Sequence, residues 1–217
     1  DILPFNATFS KVQDYSAILT LSNADEQIVI EDVKLKNDSI IAELPFFNTS
    51  FEMRIESPYM LSGKWINHDK ENYSIPLTAE QGKDYRFTNT KSNQPISKRY
   101  AVTFESGTEA EYPAILELKN DSGYLTGTFL TETGDYRYLE GNIMNNSIYL
   151  STFDGSHAFL FKAQIKGDSL VNGLFKSGIH YKTRWIAIAD SAASLKKPEE
   201  ITKLTSEKPI DFDLLNE

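Results

Sequence analysis

The stretch His157-Ala-Phe-Leu-Phe-Lys-Ala-Gln-Ile165 decides the fold. Phe159, Phe161, Ala163 and Ile165 fall on one face, and Lys162 and Gln164 on the other. That period of two belongs to an extended strand, whose successive side chains point to opposite faces. Runs of the same kind lie to either side: Ala17-Ile-Leu-Thr-Leu21, Glu31-Asp-Val-Lys-Leu-Lys36, Ser39-Ile-Ile-Ala-Glu-Leu44, Phe51-Glu-Met-Arg-Ile55, Ile148-Tyr-Leu-Ser-Thr-Phe153 and Thr183-Arg-Trp-Ile-Ala-Ile188. Turn clusters separate them, among them Lys36-Asn-Asp-Ser39, Lys119-Asn-Asp-Ser-Gly123, Met144-Asn-Asn-Ser147, Asp154-Gly-Ser156 and Lys166-Gly-Asp-Ser169. Strand and turn alternate about every 8–12 residues, the pattern of an antiparallel meander closed into a sandwich or barrel. Alternation, rather than continuous apolar runs, predicts sheets with one wet face. No segment before about residue 190 carries a helical period.

The meander is written twice. Ser39 and Ile40 align with Ser147 and Ile148, Phe51 with Phe159, and Met53 with Phe161. Downstream, Leu61-Ser-Gly-Lys-Trp65 matches Val171-Asn-Gly-Leu-Phe175, then Ile75 matches Trp185 and Leu77 matches Ala187. Upstream, Ala17-Ile-Leu-Thr-Leu21 matches Ala114-Ile-Leu-Glu-Leu118. The second copy carries about eleven extra residues, read as an added hairpin around Thr126 to Tyr136. The expected class is therefore all-β, two related antiparallel meander units at 1–95 and 100–190. The polar stretch from Gly82 to Arg99 joins them. Five or six strands per unit are expected, too few for a roomy barrel. The repeat leaves open whether each unit closes on itself or both pool strands around one core.

Residues 191–217 read differently. Lys196-Lys-Pro-Glu-Glu-Ile-Thr-Lys-Leu204 has a proline and two acids where a helix begins, and Ile210-Asp-Phe-Asp-Leu-Leu215 reads as a short strand. That strand has no partner in the sequence and is expected to open a following domain. The chain starts at Asp1 without a methionine, as expected of a processed form or an excised piece. Six Asn-x-Ser/Thr sequons, beginning at Asn6, Asn37, Asn48, Asn72, Asn120 and Asn145, are read mainly as turn residues.

Composition narrows the function classes. The 217 residues are 40% hydrophobic and 24% charged, as in an ordinary globular protein. A formal charge of −9 argues against nucleic acid and against an anionic membrane surface. No apolar run approaches the ~18 residues of a spanning helix. Cysteine is absent, which removes disulfides, thiolate catalysis and Cys-ligated metals. The three histidines, His68, His157 and His180, leave little for a metal site. No cofactor is expected.

The densest polar cluster is Thr133-Gly-Asp-Tyr-Arg-Tyr-Leu-Glu-Gly141, followed by Phe153-Asp-Gly-Ser-His157 and Ser177-Gly-Ile-His-Tyr-Lys-Thr-Arg-Trp185. From it come the candidate binding residues Asp135, Tyr136, Arg137, Tyr138, Asp154, His157, His180 and Arg184. Asp135 and Arg137 share a face, as do Tyr136 and Tyr138. This predicts either a hairpin ion pair backed by an aromatic ladder or a patch for a ligand or partner. His157 shares parity with Phe159 and Phe161 and is expected buried, bonded to a neighbouring strand or carboxylate. His180 shares parity with Lys182 and Arg184, which predicts a wet face or a groove lined with Arg184. Ser156 and His157 are adjacent and so point apart on a strand, which argues against a Ser156–His157–Asp154 triad. Trp65, Trp185, Phe159 and Phe161 are assigned to the core.

Several strings in the second half resemble a known family. They are Thr126-Gly-Thr-Phe-Leu130, Thr133-Gly-Asp-Tyr-Arg-Tyr-Leu-Glu-Gly141, Leu150-Ser-Thr-Phe-Asp-Gly-Ser-His-Ala-Phe-Leu-Phe161, Gly173-Leu-Phe-Lys-Ser-Gly178 and Trp185-Ile-Ala187. They resemble the region preceding the thioredoxin domain in bacterial TlpA-type thiol–disulfide oxidoreductases. Pro198-Glu-Glu-Ile-Thr-Lys-Leu204 resembles that family's linker, and Ile210-Asp-Phe-Asp-Leu214 the first strand of its thioredoxin domain. The resemblance covers 112–217 well and 1–95 loosely. The Trp-Cys-x-x-Cys segment that does the family's chemistry is absent, so no catalytic residue carries over. The resemblance implies a periplasmic protein or one lipid-anchored in the cell envelope, the second requiring a cysteine just upstream of Asp1, with a C-terminal thioredoxin-like domain as its first partner.

Three functions follow as expectations. The first is a non-catalytic accessory domain that positions the redox domain or docks its extracytoplasmic protein partner. The second is a barrel holding a small apolar ligand, in the style of lipocalins or streptavidin, which requires an open lumen. The third is a hydrolase using His157 and His180, which requires the two rings and nearby acids to converge.

Overall fold

The computed structural model describes residues 2–13, 16–44 and 46–202. The first unit is a seven-stranded antiparallel meander: β1 (Asn6–Gln13), β2 (Ser16–Asn23), β3 (Glu26–Lys36), β4 (Ser39–Glu43), β5 (Thr49–Ser57), β6 (Met60–Asn67) and β7 (Ser74–Glu80). The second contains β8 (Arg99–Phe104), β9 (Tyr112–Asp121), β10 (Tyr124–Thr131), β11 (Gly134–Asp135), β12 (Leu139–Met144), β13 (Ser147–Phe153), β14 (Ala158–Lys166), β15 (Ser169–Ser177) and β16 (Tyr181–Ala189). A four-residue helix, α1 (Pro198–Ile201), follows. The expected strand at 210–214 lies outside the described residues.

Two-residue turns set the registers. Asn145 and Asn146 both take left-handed φ, 50° and 59°, between the paired Met144 and Ser147. Ser122 and Gly123 do the same, at 54° and 93°, between Asp121 and Tyr124. Such turns match the right-handed twist of the strands they join, and Asn and Gly reach them at least cost.

The units differ in strand number, and parity explains their shapes. The second unit pairs β16 with β8 and β9 with β10, closing an eight-stranded antiparallel barrel. The expected five or six strands per unit is corrected here: Asn6–Gln13 and Arg99–Phe104 are strands too polar or too short to stand out in the sequence. The added segment also does more than extend a hairpin. β10 pairs with β9 along its whole length and with β12 over Tyr124–Gly127, so it is a stave of the barrel. In the first unit seven alternating strands leave β1 and β7 running the same way, so they cannot pair antiparallel. The sheet curls but stays open.

Each unit has its own core. The barrel is filled by Tyr100, Phe104, Phe129, Phe161, Phe175 and Trp185. Phe161 and Phe175 stack at 4.3 Å and Phe129 and Phe161 at 4.5 Å. An eight-stranded barrel has an interior just wide enough for side chains to fill. The open sheet packs Leu19, Leu21, Ile30, Phe51 and Trp65. It also takes in Phe153 and Ala158 from the β13–β14 hairpin of the second unit. Phe153 lies 4.8 Å from Phe5, 5.6 Å from Phe51 and 5.5 Å from Trp65. The hairpin thus plugs one end of the open sheet. On the free edge strand Ile75 and Leu77 remain half-buried, whereas their aligned residues Trp185 and Ala187 are fully covered.

Candidate functional site

The segment between the units is pinned by a residue that strand-reading passed over. Arg86 is buried, donating through Nη2 to Ser22 O (2.5 Å) and Asn23 Oδ1 (3.0 Å), and through Nη1 to Pro4 O (3.1 Å) and Ser151 Oγ (3.2 Å). Glu140 Oε2 lies 3.4 Å from Nη2 and also accepts from Ala24 N at 2.8 Å. Burial pulls the Arg86 pKa down, and Glu140 offsets this only in part. Next along the chain, Phe87 N and Thr88 N donate to Asn142 Oδ1. The linker is therefore strapped across the outer face of β12.

A second tie joins the tip of the barrel to the first sheet. The Asp154 carboxylate is fully buried. Oδ1 accepts from Ser156 N (2.9 Å) and His157 N (2.7 Å), and Oδ2 lies 2.9 Å from His157 Nδ1. Arg137 Nε sits 3.1 Å from Oδ2, close enough for an ion pair but out of line for a hydrogen bond. Nη2 of the same guanidinium donates to Glu26 Oε1 on the first sheet at 2.6 Å. Burial alone would raise the Asp154 pKa. The hydrogen bonds from the His157 ring and the two backbone amides outweigh it and hold the carboxyl below its ordinary value.

The candidate residues do not form one constellation. Asp154, His157 and Arg137 meet as described. His157 has the expected carboxylate partner, but the expectation of burial is corrected: 47% of its side chain is exposed. It precedes β14 in a turn, where parity with Phe159 does not set burial. The ladder and ion pair expected at 135–138 are also absent. Arg137 takes a left-handed φ of 61°, which breaks the alternation. Asp135 accepts from the Arg137 backbone N–H instead, at 2.9 Å. Tyr136 turns into the barrel mouth, its hydroxyl 2.9 Å from that of Tyr112, whose pKa is raised mainly by burial. Tyr138 points outward and is 52% exposed. His180 packs its ring on Tyr73 at 5.7 Å, in a small groove with Trp65 and Ser156. Arg184 is exposed on β16 and does not line that groove.

The outer face of β9 and β10 forms the floor of a larger groove, with a volume of about 480 Å³. The β2–β3 turn of the first unit supplies one wall through Ala24 and Asp25, and the segment Asp135–Tyr138 supplies another. Register orders the floor. Lys119 lies opposite Thr126, Glu117 opposite Thr128, and Asp135 opposite Leu130. Glu117 is neutralised by Arg99. Neither Lys98 nor Lys119, both lining the groove, has a carboxylate partner among the described residues.

Two histidines make partial catalytic arrangements among the described residues. Asp154–His157 has no hydroxyl bonded to the outer ring nitrogen among the described residues. Ser50 Oγ lies 2.9 Å from His68 Nε2, a pair the sequence reading missed because 18 residues separate its members, but no acid orients that ring among the described residues. Nor do three His, Asp or Glu side chains converge there as metal ligands. The filled barrel lumen leaves the apolar-ligand reading without the chamber it requires.

No family model, curated protein or solved structure matches this chain.

Proposed function

We propose that this chain is a non-catalytic recognition module whose binding surface is the groove at the junction of its two units. One contrast supports this reading. Three groups capable of acid–base chemistry, Asp154, Glu140 and the inner nitrogen of His157, are engaged in ties within the protein. The groove keeps a half-exposed aromatic ring and two lysines without carboxylate partners among the described residues. Sites of a few hundred Å³ at the junction of structural units are where proteins most often hold ligands. The resemblance of residues 112–217 to the region ahead of a thioredoxin domain supports a further part of the proposal. In that part the module sits in the periplasm or cell envelope, positioning such a domain or docking its partner.

The test is a binding screen on the full chain beside Tyr138→Ala and His157→Ala variants, with a reduced thioredoxin-like domain among the probes. Stabilisation lost in Tyr138→Ala and retained in His157→Ala is expected. Substrate turnover abolished by His157→Ala would overturn the non-catalytic reading. Binding indifferent to Tyr138→Ala would move the surface elsewhere.

A further inference from the structure

Apart from the groove that carries Tyr138, we propose a second binding site at the junction of the two units, built for a small aromatic carboxylate. It is the cavity of about 200 Å³ in which His180 packs on Tyr73. The β6–β7 turn of the first unit supplies Lys70 and Tyr73, and the barrel supplies Ser156, Ser177 and His180 from around its β13–β14 and β15–β16 turns. Trp65 lines the cavity from the core of the first unit.

Trp65 carries the inference. It is 4% exposed, and its indole N–H has no hydrogen-bond partner among the described residues. Buried donors are almost always bonded, because an unbonded one gives up its water for nothing. Trp185 has the other unbonded indole, but it is sealed in the filled barrel, whereas Trp65 borders open space. An acceptor entering the cavity satisfies it.

The rest of the lining offers donors and no acid. The Ser156 and Ser177 hydroxyls have no hydrogen-bond partners among the described residues. Lys70, whose Nζ lies 4.8 Å from the centre of the Tyr73 ring, has no carboxylate partner among them either. Of the acids in adjoining segments, Asp69 accepts from Asn48, Glu105 accepts from Tyr181 and Asp154 is tied to His157. Glu71 is exposed and outside the lining. A cation therefore finds nothing to pair with, whereas an anion finds an ammonium, two hydroxyls and an indole N–H, in a chain whose net charge is −9. Size and walls restrict the anion. The volume is that of about seven waters at ~30 Å³ each, which admits a single ring with its carboxylate. The rings of Trp65, Tyr73 and His180 favour a flat aromatic body.

The experiment is an NMR titration of the full chain that follows the two tryptophan indole N–H signals, with benzoate as the probe and benzamide and cyclohexanecarboxylate beside it. The Trp65 signal is the one missing from Trp65→Phe or, should that variant not fold, the one with cross-relaxation to the Tyr73 ring. Benzoate is expected to move the Trp65 signal downfield in a saturable way and leave the Trp185 signal in place. Its affinity should be at least about tenfold above that of benzamide and severalfold above that of cyclohexanecarboxylate, and about threefold lower in Lys70→Gln. Lys70 is exposed, and an unmoved Trp185 signal checks that the variant keeps its fold. Tyr138→Ala should leave benzoate binding unchanged; its loss there would assign benzoate to the other groove and overturn this site. A Trp65 signal that does not move overturns the site as well. Equal affinity for benzamide overturns the anionic assignment, and equal affinity for cyclohexanecarboxylate overturns the aromatic one.

Discussion

Asn23 on the first sheet and Phe153 on the barrel bond to each other in both directions. Asn23 Nδ2 donates to Phe153 O at 2.9 Å, and Asn23 Oδ1 accepts from Phe153 N at 3.2 Å. A side-chain amide thus completes the backbone of a strand in the other unit, at a point sealed from water. Arg86 donates to the same Oδ1, so one carboxamide links sheet, barrel and linker.

Asn23→Ala should therefore destabilise the protein by about 2–4 kcal/mol, because it leaves a buried N–H and C=O of Phe153 without partners. Thermal unfolding should also broaden, as the open sheet loosens before the barrel. A sharp transition at the wild-type midpoint would show that the bond pair contributes nothing.

Arg86→Met should be more damaging than its size suggests. Removing one member of a buried ion pair leaves Glu140 uncompensated, at about 3–5 kcal/mol. Arg86→Met combined with Glu140→Gln should recover part of that loss in denaturant titrations. If the double variant is no more stable than the single one, the charge pairing is not the cause.

Asp154 sets an acid limit. Its folded-state pKa lies below the ordinary value of 3.8, so its contribution is present above that pH and disappears as pH falls through the folded-state value. Stability of the wild type should drop on acidification below about pH 4, and the drop should be shallower in Asp154→Asn. Unfolding midpoints measured from pH 2 to 6 would decide this, with parallel curves counting against it.

Pro76 guards an open edge. Gln81 N and Tyr73 O bond toward β6, so the alternate residues Ser74, Pro76, Thr78 and Glu80 turn their backbone groups to the free side of β7. Proline there removes one donor from a row that would otherwise invite strand pairing. Pro76→Val should leave the monomer folded but raise its tendency to associate, read as concentration-dependent light scattering. Unchanged scattering up to millimolar protein would dismiss that role.

The fold was largely legible because period-two alternation and two-residue turns are local. Phe159, Phe161 and Trp185 sit in the core where their parity put them. What the sequence hid was everything fixed at a distance. Arg86 and Glu140 are 54 residues apart, and nothing local marks them as partners. The outward turn of Tyr138 depends on one left-handed residue, Arg137, of a type that seldom adopts that conformation. Closure of one unit and not the other rested on a single weak strand, below what composition can distinguish.

The borrowed Phe153 plug gives the two halves unequal autonomy. The barrel buries its own aromatic residues, but the open sheet completes its core only with a hairpin encoded about seventy residues after its last strand. As the chain leaves the ribosome, the half made first must wait for the half made last, and until then its apolar interior is a natural client for a chaperone.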